Sequence, residues 1–241
     1  MDNTKAAAIM SICLARKTRG RRQVKMVLER QYGISMCLGS VHRYMRILNL
    51  SALRKRKYRK QKKEASNLLH TFPNVIKQDF NAPLSGQKWL TDITYLPAKD
   101  GTLFLSCIKD LSDKSIVAYH LSNKNDVQLV METLEKVRSK IRPGTVLHSD
   151  QGSQYVSVAY HRFLSLHGLI GSMSAKATPL DNAPMESFFS ILKNEELRLH
   201  PHLTMAQIRT VVDQFIEYYN FNRPQWNLTK LTPAEYRSQF L

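Results

Sequence analysis

Residues 88–122 read KWLTDITYLPAKDGTLFLSCIKDLSDKSIVAYHLS. Three runs rich in Leu, Ile, Val and aromatic residues, at 88–97, 102–111 and 115–122, are joined by the turn-forming AKDG and SDK. Runs of that length predict strands, and joints that short predict a three-stranded antiparallel meander. Downstream the period changes. NDVQLVMETLEKVRSK (125–140) repeats Val127, Val130, Leu134 and Val137 at helical spacing, with Asn125 as a candidate cap. There follow a brief strand in PGTVLHSDQG, a helix from about Val156 to Leu166, a strand in GLIGSMSA (168–175), a helix holding Glu186 and another over 204–222. That order predicts an α/β fold, a mixed five-stranded sheet with helices on its faces.

Upstream, RGRRQVKMVLERQYGISMCLGSVHRYMRILNL (19–50) divides at YGIS into two periodic stretches. Val24, Met26, Val27 and Leu28 fit one helix, and Val41, Tyr44, Met45 and Leu48 a second; Gly33 supplies the break, with Ser35 and Ser40 as candidate caps. The pattern suits a small all-α helix-turn-helix that shows His42, Arg43 and Arg46 on a polar face; a plain helical hairpin would share the periodicity. Charge favours the first reading. Residues 1–70 hold 18 of the 36 Lys and Arg but 3 of the 19 Asp and Glu, so nearly all of the net charge of +17 sits in the first third. Such a block attracts polyanions, and nucleic acid is the commonest. RKRKYRKQKKE (54–64) is the densest part, suited to phosphate contact without base readout. Arg21, Arg22, Arg54, Lys55, Arg56 and Lys57 join the helix residues as candidate DNA contacts.

A membrane partner is disfavoured. The early apolar run AAAIMSICLA (6–15) is too short to span a bilayer and is followed by Arg16 and Lys17. It reads as part of a helix in a cytoplasmic protein. Cys13, Cys37 and Cys107 are too scattered for a disulfide framework or a zinc site.

Three acids carry the chemistry. Asp92 interrupts an apolar strand, WLTDITYL, where a buried charge without a partner would cost several kcal/mol. Its position asks for a cation. Asp150 ends a strand at the carboxyl edge, where mixed sheets gather ligands, although an aspartate ahead of Gly152 also suits an ordinary turn. Glu186, in DNAPMESFF, stands in the first turn of a helix, where it could simply complement the dipole for about 0.3–1 kcal/mol. Between Asp92 and Asp150 lie 57 residues, and between Asp150 and Glu186 lie 35.

At Asp-35-Glu the chain resembles the DDE transposases and retroviral integrases. WLTDITYLP, HSDQGSQY, SMSAKATPLDNAPMESFFSILKNE and YNFNRPQWNLTKLTPAEYR closely resemble the second-reading-frame (OrfB) proteins of bacterial insertion sequence family three, and residues 19–50 are similar to the helix-turn-helix ahead of their core. The resemblance implies a ribonuclease-H-like sheet and a DNA transposase that cuts 3′ ends of an insertion element and transfers them to target DNA. It implies Asp92, Asp150 and Glu186 as catalytic metal ligands for two Mg2+ ions, with Mn2+ as a substitute, which fits hard oxygen ligands at phosphodiester chemistry. Lys193, seven residues after Glu186 on the same helical face, is placed to hold a DNA phosphate; Phe188, Ile191 and Leu192 point to a core. The implied partners are element terminal repeats, target DNA, further copies of the chain and an upstream-frame (OrfA) protein, in the bacterial nucleoid. The implied organisation is a helix-turn-helix over 1–53, a basic linker over 54–70, an integrase-like core over 71–200 and a helical extension over 201–241. A catalytically silent DNA-binding regulator and a ribonuclease-H-fold nuclease remain alternatives.

Weaker candidates surround these. His148 could touch substrate or pack by hydrogen bonds; Asp181 and Asn182 could cap the glutamate helix; Trp89, Tyr95, Tyr218, Tyr219 and Trp226 read as core. SAKATPLDNA (174–183) replaces the glycine-containing turn of relatives, and Thr178-Pro179 would stiffen it. The chain starts close to the helix-turn-helix, whereas relatives often act as a frameshifted fusion that adds end-specific binding.

Overall fold

The computed structural model describes residues 2–52, 71–175, 179–200 and 202–239. Arg54, Lys55, Arg56 and Lys57, the expected linker and Thr178 lie outside the described residues.

Three helices come first: α1 (Asn3–Ala15), α2 (Arg21–Tyr32) and α3 (Leu38–Ile47). Each turns an apolar stripe inward, so Ile9, Ile12, Val24, Val27, Leu28, Val41, Tyr44 and Met45 make one small core. α2 ends at Gly33, whose φ of 63° is left-handed backbone that glycine adopts without strain. Neither Ser35 nor Ser40 caps α3. Cys37 does, its extended backbone leading into the helix while its Sγ accepts from the Ser40 amide at 3.4 Å.

The meander is as expected: β1 (Lys88–Ala98), β2 (Gly101–Asp110) and β3 (Ile116–Ser122) pair antiparallel. β4 (Val146–Ser149) then joins β1 in parallel, and β5 (Ile170–Met173) joins β4, which gives a mixed sheet of order β3-β2-β1-β4-β5. Side chains alternate between the faces of a strand. On one face Trp89, Ile108 and Ala118 pack with Val130 and Leu134 of α4 (Val127–Val137) and with Tyr160, Phe163 and Leu164 of α5 (Val158–Leu166). On the other, Leu90, Leu96, Leu103, Leu105 and Cys107 meet Phe188 and Leu192 of α6 (Ala183–Glu195) and Phe215 and Tyr219 of α7 (Met205–Phe221). α4 is capped by Asp126 and not by Asn125: the Asp126 carboxylate accepts from the Leu129 amide at 3.1 Å, while Asn125 accepts from Gln154. Of the five aromatics read as core, Trp89 and Tyr219 are buried and Tyr218 is half-buried, but Tyr95 and Trp226 are exposed. Tyr95 lies on the part of β1 beyond its pairing with β4, and Trp226 sits within 6.0 Å of the charges of Arg22 and Lys230.

The helical domain docks on the chain's carboxyl-terminal part through charge. Arg16 pairs with Glu196, Arg30 with Glu235 of α8 (Pro233–Ser238), and Glu29 with Lys230 at 2.7 Å; the Thr18 hydroxyl donates to the Glu195 carbonyl at 3.1 Å. Part of the amino-terminal positive charge is therefore spent on protein contacts. Beneath this seam Arg223 grips Glu195 with two hydrogen bonds of 2.9 and 2.6 Å, its side chain 8% exposed. Removing one partner of a buried pair strands the other charge, at a cost of about 3–5 kcal/mol. Arg223→Ala should lower unfolding free energy in urea by that amount, and Arg223→Met with Glu195→Gln should recover a large part; an unchanged midpoint for the single variant would contradict the pairing.

Candidate active site

Parallel pairing of β1 with β4 brings the first two acids together. The register matches Lys88 with Val146, Trp89 with Leu147 and Leu90 with His148. The pairing stops there, and two residues further along each chain stand Asp92 and Asp150, which line one cleft. β4 ends at Ser149 while β1 runs on to Ala98, and a cleft of about 410 Å³ opens where the pairing stops. Asp92, Asp150, Gly152 and Tyr155 line it, with Ile93, Tyr95, Phe104, Asn125 and Gln154. The Asp150 carboxylate accepts the Gly152 amide at 2.9 Å, and Asp92 accepts the Ile93 amide at 2.8 Å. Asp92 is half-buried and not sealed in the sheet, because the cleft reaches it. Both acids act on Tyr155. Burial first, then the charges of Asp92 and Asp150, push its phenol well above the ordinary value, and the neutral hydroxyl meets Thr91 Oγ1 at 3.3 Å. Cys107, across the ladder from Asp92, is raised by burial and then by the Asp92 charge.

Glu186 comes from another direction. Leu90 and Leu96 point into the core shared with α6, so the two-residue period sends Asp92 to that same face. Two lysines moor α6 there. Lys109, paired with Leu90 and 5% exposed, donates to the Pro184 carbonyl and the Tyr219 hydroxyl, both at 3.2 Å. Lys193 donates to Thr94 Oγ1 at 2.6 Å and lies 4.7 Å from the centre of the Tyr95 ring. Pro184 to Lys193 rises about 13–14 Å along a helix and Leu90 to Thr94 about the same along a strand, so α6 runs beside β1 and Glu186 falls between the moorings. It is half-buried and stands outside the cleft lining; among the described residues no three His, Cys, Asp or Glu side chains form a metal-binding group. Of the two residues that lie between Glu186 and Lys193 on their shared face, Ser190 is exposed and Phe189 is buried.

The other candidates divide. His148 is fully buried, its ring nitrogens 2.8 and 3.0 Å from the Ser172 and Ser174 hydroxyls, and burial depresses its basicity, so it packs and does not touch the cleft. Asp181 does not cap α6: it accepts from Asn74, Gln78 and the Ala175 amide. Asn182 occupies the cap position without a side-chain bond, because its φ of −122° and ψ of 21° depart from the extended cap geometry. Arg21, His42 and Arg46 gather around a second cleft, of about 680 Å³, with Arg22 and Arg43 exposed beside it. Sequence reasoning missed Lys109, Tyr155 and the Asn125–Gln154 pair; the one usable signal was a lysine inside the apolar run LFLSCIKDL.

A family model described as integrase core domain matches residues 82–179, a second integrase core model matches 186–241, and a helix-turn-helix-like model matches 2–58. InsK, assigned to insertion sequence element IS150 of Escherichia coli K12, is 37% identical over 223 residues, covering 91% of this chain and 77% of InsK. The chain belongs to the insertion sequence family three transposases. The transposase for insertion sequence element IS904 of Lactococcus lactis is 35% identical over 208 residues, 85% of this chain and 81% of that protein. InsF of IS3fB from E. coli K12 is 36% identical over 172 residues, covering 70% and 59%. Among solved structures, the HTLV-2 integrase catalytic core in complex with magnesium superposes with a TM-score of 0.51 at 14% identity, covering 64% of this transposase and 97% of that chain. A chain of the simian T-cell lymphotropic virus intasome gives 0.57 at 13%, covering 95% and 74%. At those identities the likeness shows the ribonuclease-H-like integrase fold.

Gly152 is where this transposase leaves no room. A Cβ there would lie 3.0 Å from Asp150 Oδ1 and 3.2 Å from Gln154 Oε1. Gly152→Ala should therefore displace the Asp150 side chain, seen as a shifted Asp150 carboxyl signal in nuclear magnetic resonance, with thermal unfolding nearly unchanged; an unmoved signal would show that the cleft accommodates the added methyl group.

Proposed function

We propose that Asp92, Asp150 and Glu186 are the metal-binding carboxylates at which this transposase cuts the 3′ ends of its element and joins them to target DNA. The observation that carries it is that Asp92 and Asp150, each just past the end of the parallel pairing of β1 with β4, line one open cleft. The donor set fits a hard divalent cation: carboxylate oxygens with polar neighbours, and no thiol among the cleft residues. Two magnesium ions, or manganese in their place, would when bound there neutralise the phosphoryl charge, activate the attacking oxygen and stabilise the leaving oxygen.

The chain's own groups do the rest. Gly152 fixes Asp150, and Lys109 and Lys193 hold α6, the helix that carries Glu186, against the sheet strands. Lys193 adds a positive charge at the cleft's rim for a DNA phosphate. Arg21, Arg22, His42, Arg43 and Arg46 bind element or target duplex, and Arg54, Lys55, Arg56 and Lys57 contact its backbone. Bringing two element ends together calls for more than one copy of the chain, and an upstream-frame (OrfA) protein would supply end recognition.

On a duplex carrying the element's terminal repeat, Asp92→Asn, Asp150→Asn and Glu186→Gln should each lower cleavage and strand transfer by about a thousandfold or more, the loss of several kcal/mol of transition-state stabilisation. DNA affinity should change by less than about threefold. Retained cleavage in any of the three removes that residue from the metal centre, and cuts without joined products in the wild type would favour a nuclease.

A further inference from the structure

We propose that the cleft beside Asp92 and Asp150 seats one unpaired nucleobase of the strand being cut, stacked on Tyr95. The inference rests on the reading of these acids as the cutting centre. Tyr95 lies three residues past Asp92, about 10 Å along β1, and is 63% exposed, whereas Trp89, Leu90 and Leu96 of the same strand are buried. Phe104 stands directly across the ladder from it, and Ile93 shares its face, so the three form a continuous apolar wall of the cleft. The cation of Lys193 sits 4.7 Å from the Tyr95 ring centre while its ammonium donates to Thr94, which holds the ring in place and adds charge where a backbone phosphate would pass.

The wall across the cleft is polar and fixed. Gln154, 8% exposed, donates to the Asn125 carbonyl at 3.0 Å and to its side-chain oxygen at 2.8 Å. Carboxamides held in this way offer donors and acceptors of the kind that read a base edge. The opening, about 410 Å³, is within the size of small-molecule sites, about 300–1,000 Å³. A base inside a duplex has both faces covered by its neighbours and cannot use an aromatic ring. An unpaired one can, and every base has a π-face to offer. An aromatic platform next to two carboxylates therefore suits a frayed nucleotide at the cut, with its sugar and phosphate directed to the acids.

The probe is a duplex of the element's end carrying 2-aminopurine at the two positions that flank the cut. It is examined without divalent metal, so that binding and cutting are read separately. Wild type and Tyr95→Phe should quench the fluorescence on binding, and Tyr95→Ala should leave it bright while anisotropy gives an affinity within about threefold. With metal, Tyr95→Ala should cleave a fully paired end about tenfold more slowly and regain most of that rate on an end already unpaired at those positions. Equal quenching by wild type and Tyr95→Ala, or a rate defect that pre-unpairing does not relieve, overturns the base seat and leaves the metal assignment standing.

Discussion

Everything at the site depends on one short parallel pairing, three residues of β1 against three of β4. It brings two acids, Asp92 on β1 and Asp150 just past the end of β4, to one cleft, where like charges repel. No sheet would gather them for stability. The pairing is upheld by the apolar residues around it: Trp89 and Leu147 on one face, Leu90 and Val146 on the other. Charge is confined to the end of the pairing, where β4 stops and the cleft admits water or a cation. The same stop frees the far half of β1 from a partner on that side, which is why Tyr95 is available to a ligand at all.

The face that receives Glu186 is built differently. Lysines add polar moorings at both ends of α6 to the apolar contacts of Phe188 and Leu192, and one of them, Lys109, is buried without a carboxylate among its bonded partners, which are a carbonyl and a phenol. Phe188 and Tyr219 lie within 5.9 Å of its charge and share in holding it. A buried cation of this kind costs solvation. In return it fixes the first turn of α6 against β2, and that turn carries the third acid.

The sheet was legible because strand composition and turn chemistry agree from residue 88 to 122, and the helix-turn-helix because apolar residues recur at three- and four-residue steps on each side of Gly33. Asp92, Asp150 and Glu186 were singled out by spacing and resemblance, and the structure shows that Asp92 and Asp150 line one cleft while Glu186 stands outside its lining. Other features were hidden for physical reasons. Cys37 caps α3 with sulfur, which lies outside the usual oxygen caps. Asn125 and Asp126 were adjacent and equally suited to cap α4, and only the contact with Gln154 separates them. Arg16 and Arg30 count toward the basic block in the sequence yet pair with Glu196 and Glu235, contacts 180 and 205 residues away that composition cannot show. Asp181, beside the predicted cap, is drawn off by Asn74 and Gln78. The exposure of Tyr95 follows from the length of β4, a tertiary fact.

The central claim is that three carboxylates from β1, the end of β4 and α6 act as one cation site. Manganese(II) titration of the whole chain, followed by electron paramagnetic resonance, tests it without recourse to activity. The account predicts tight manganese binding in the wild type that is lost in Asp92→Asn and in Asp150→Asn, and weakened in Glu186→Gln, with folding intact by circular dichroism. Binding of the same number of ions at the same affinity in all four proteins would contradict it.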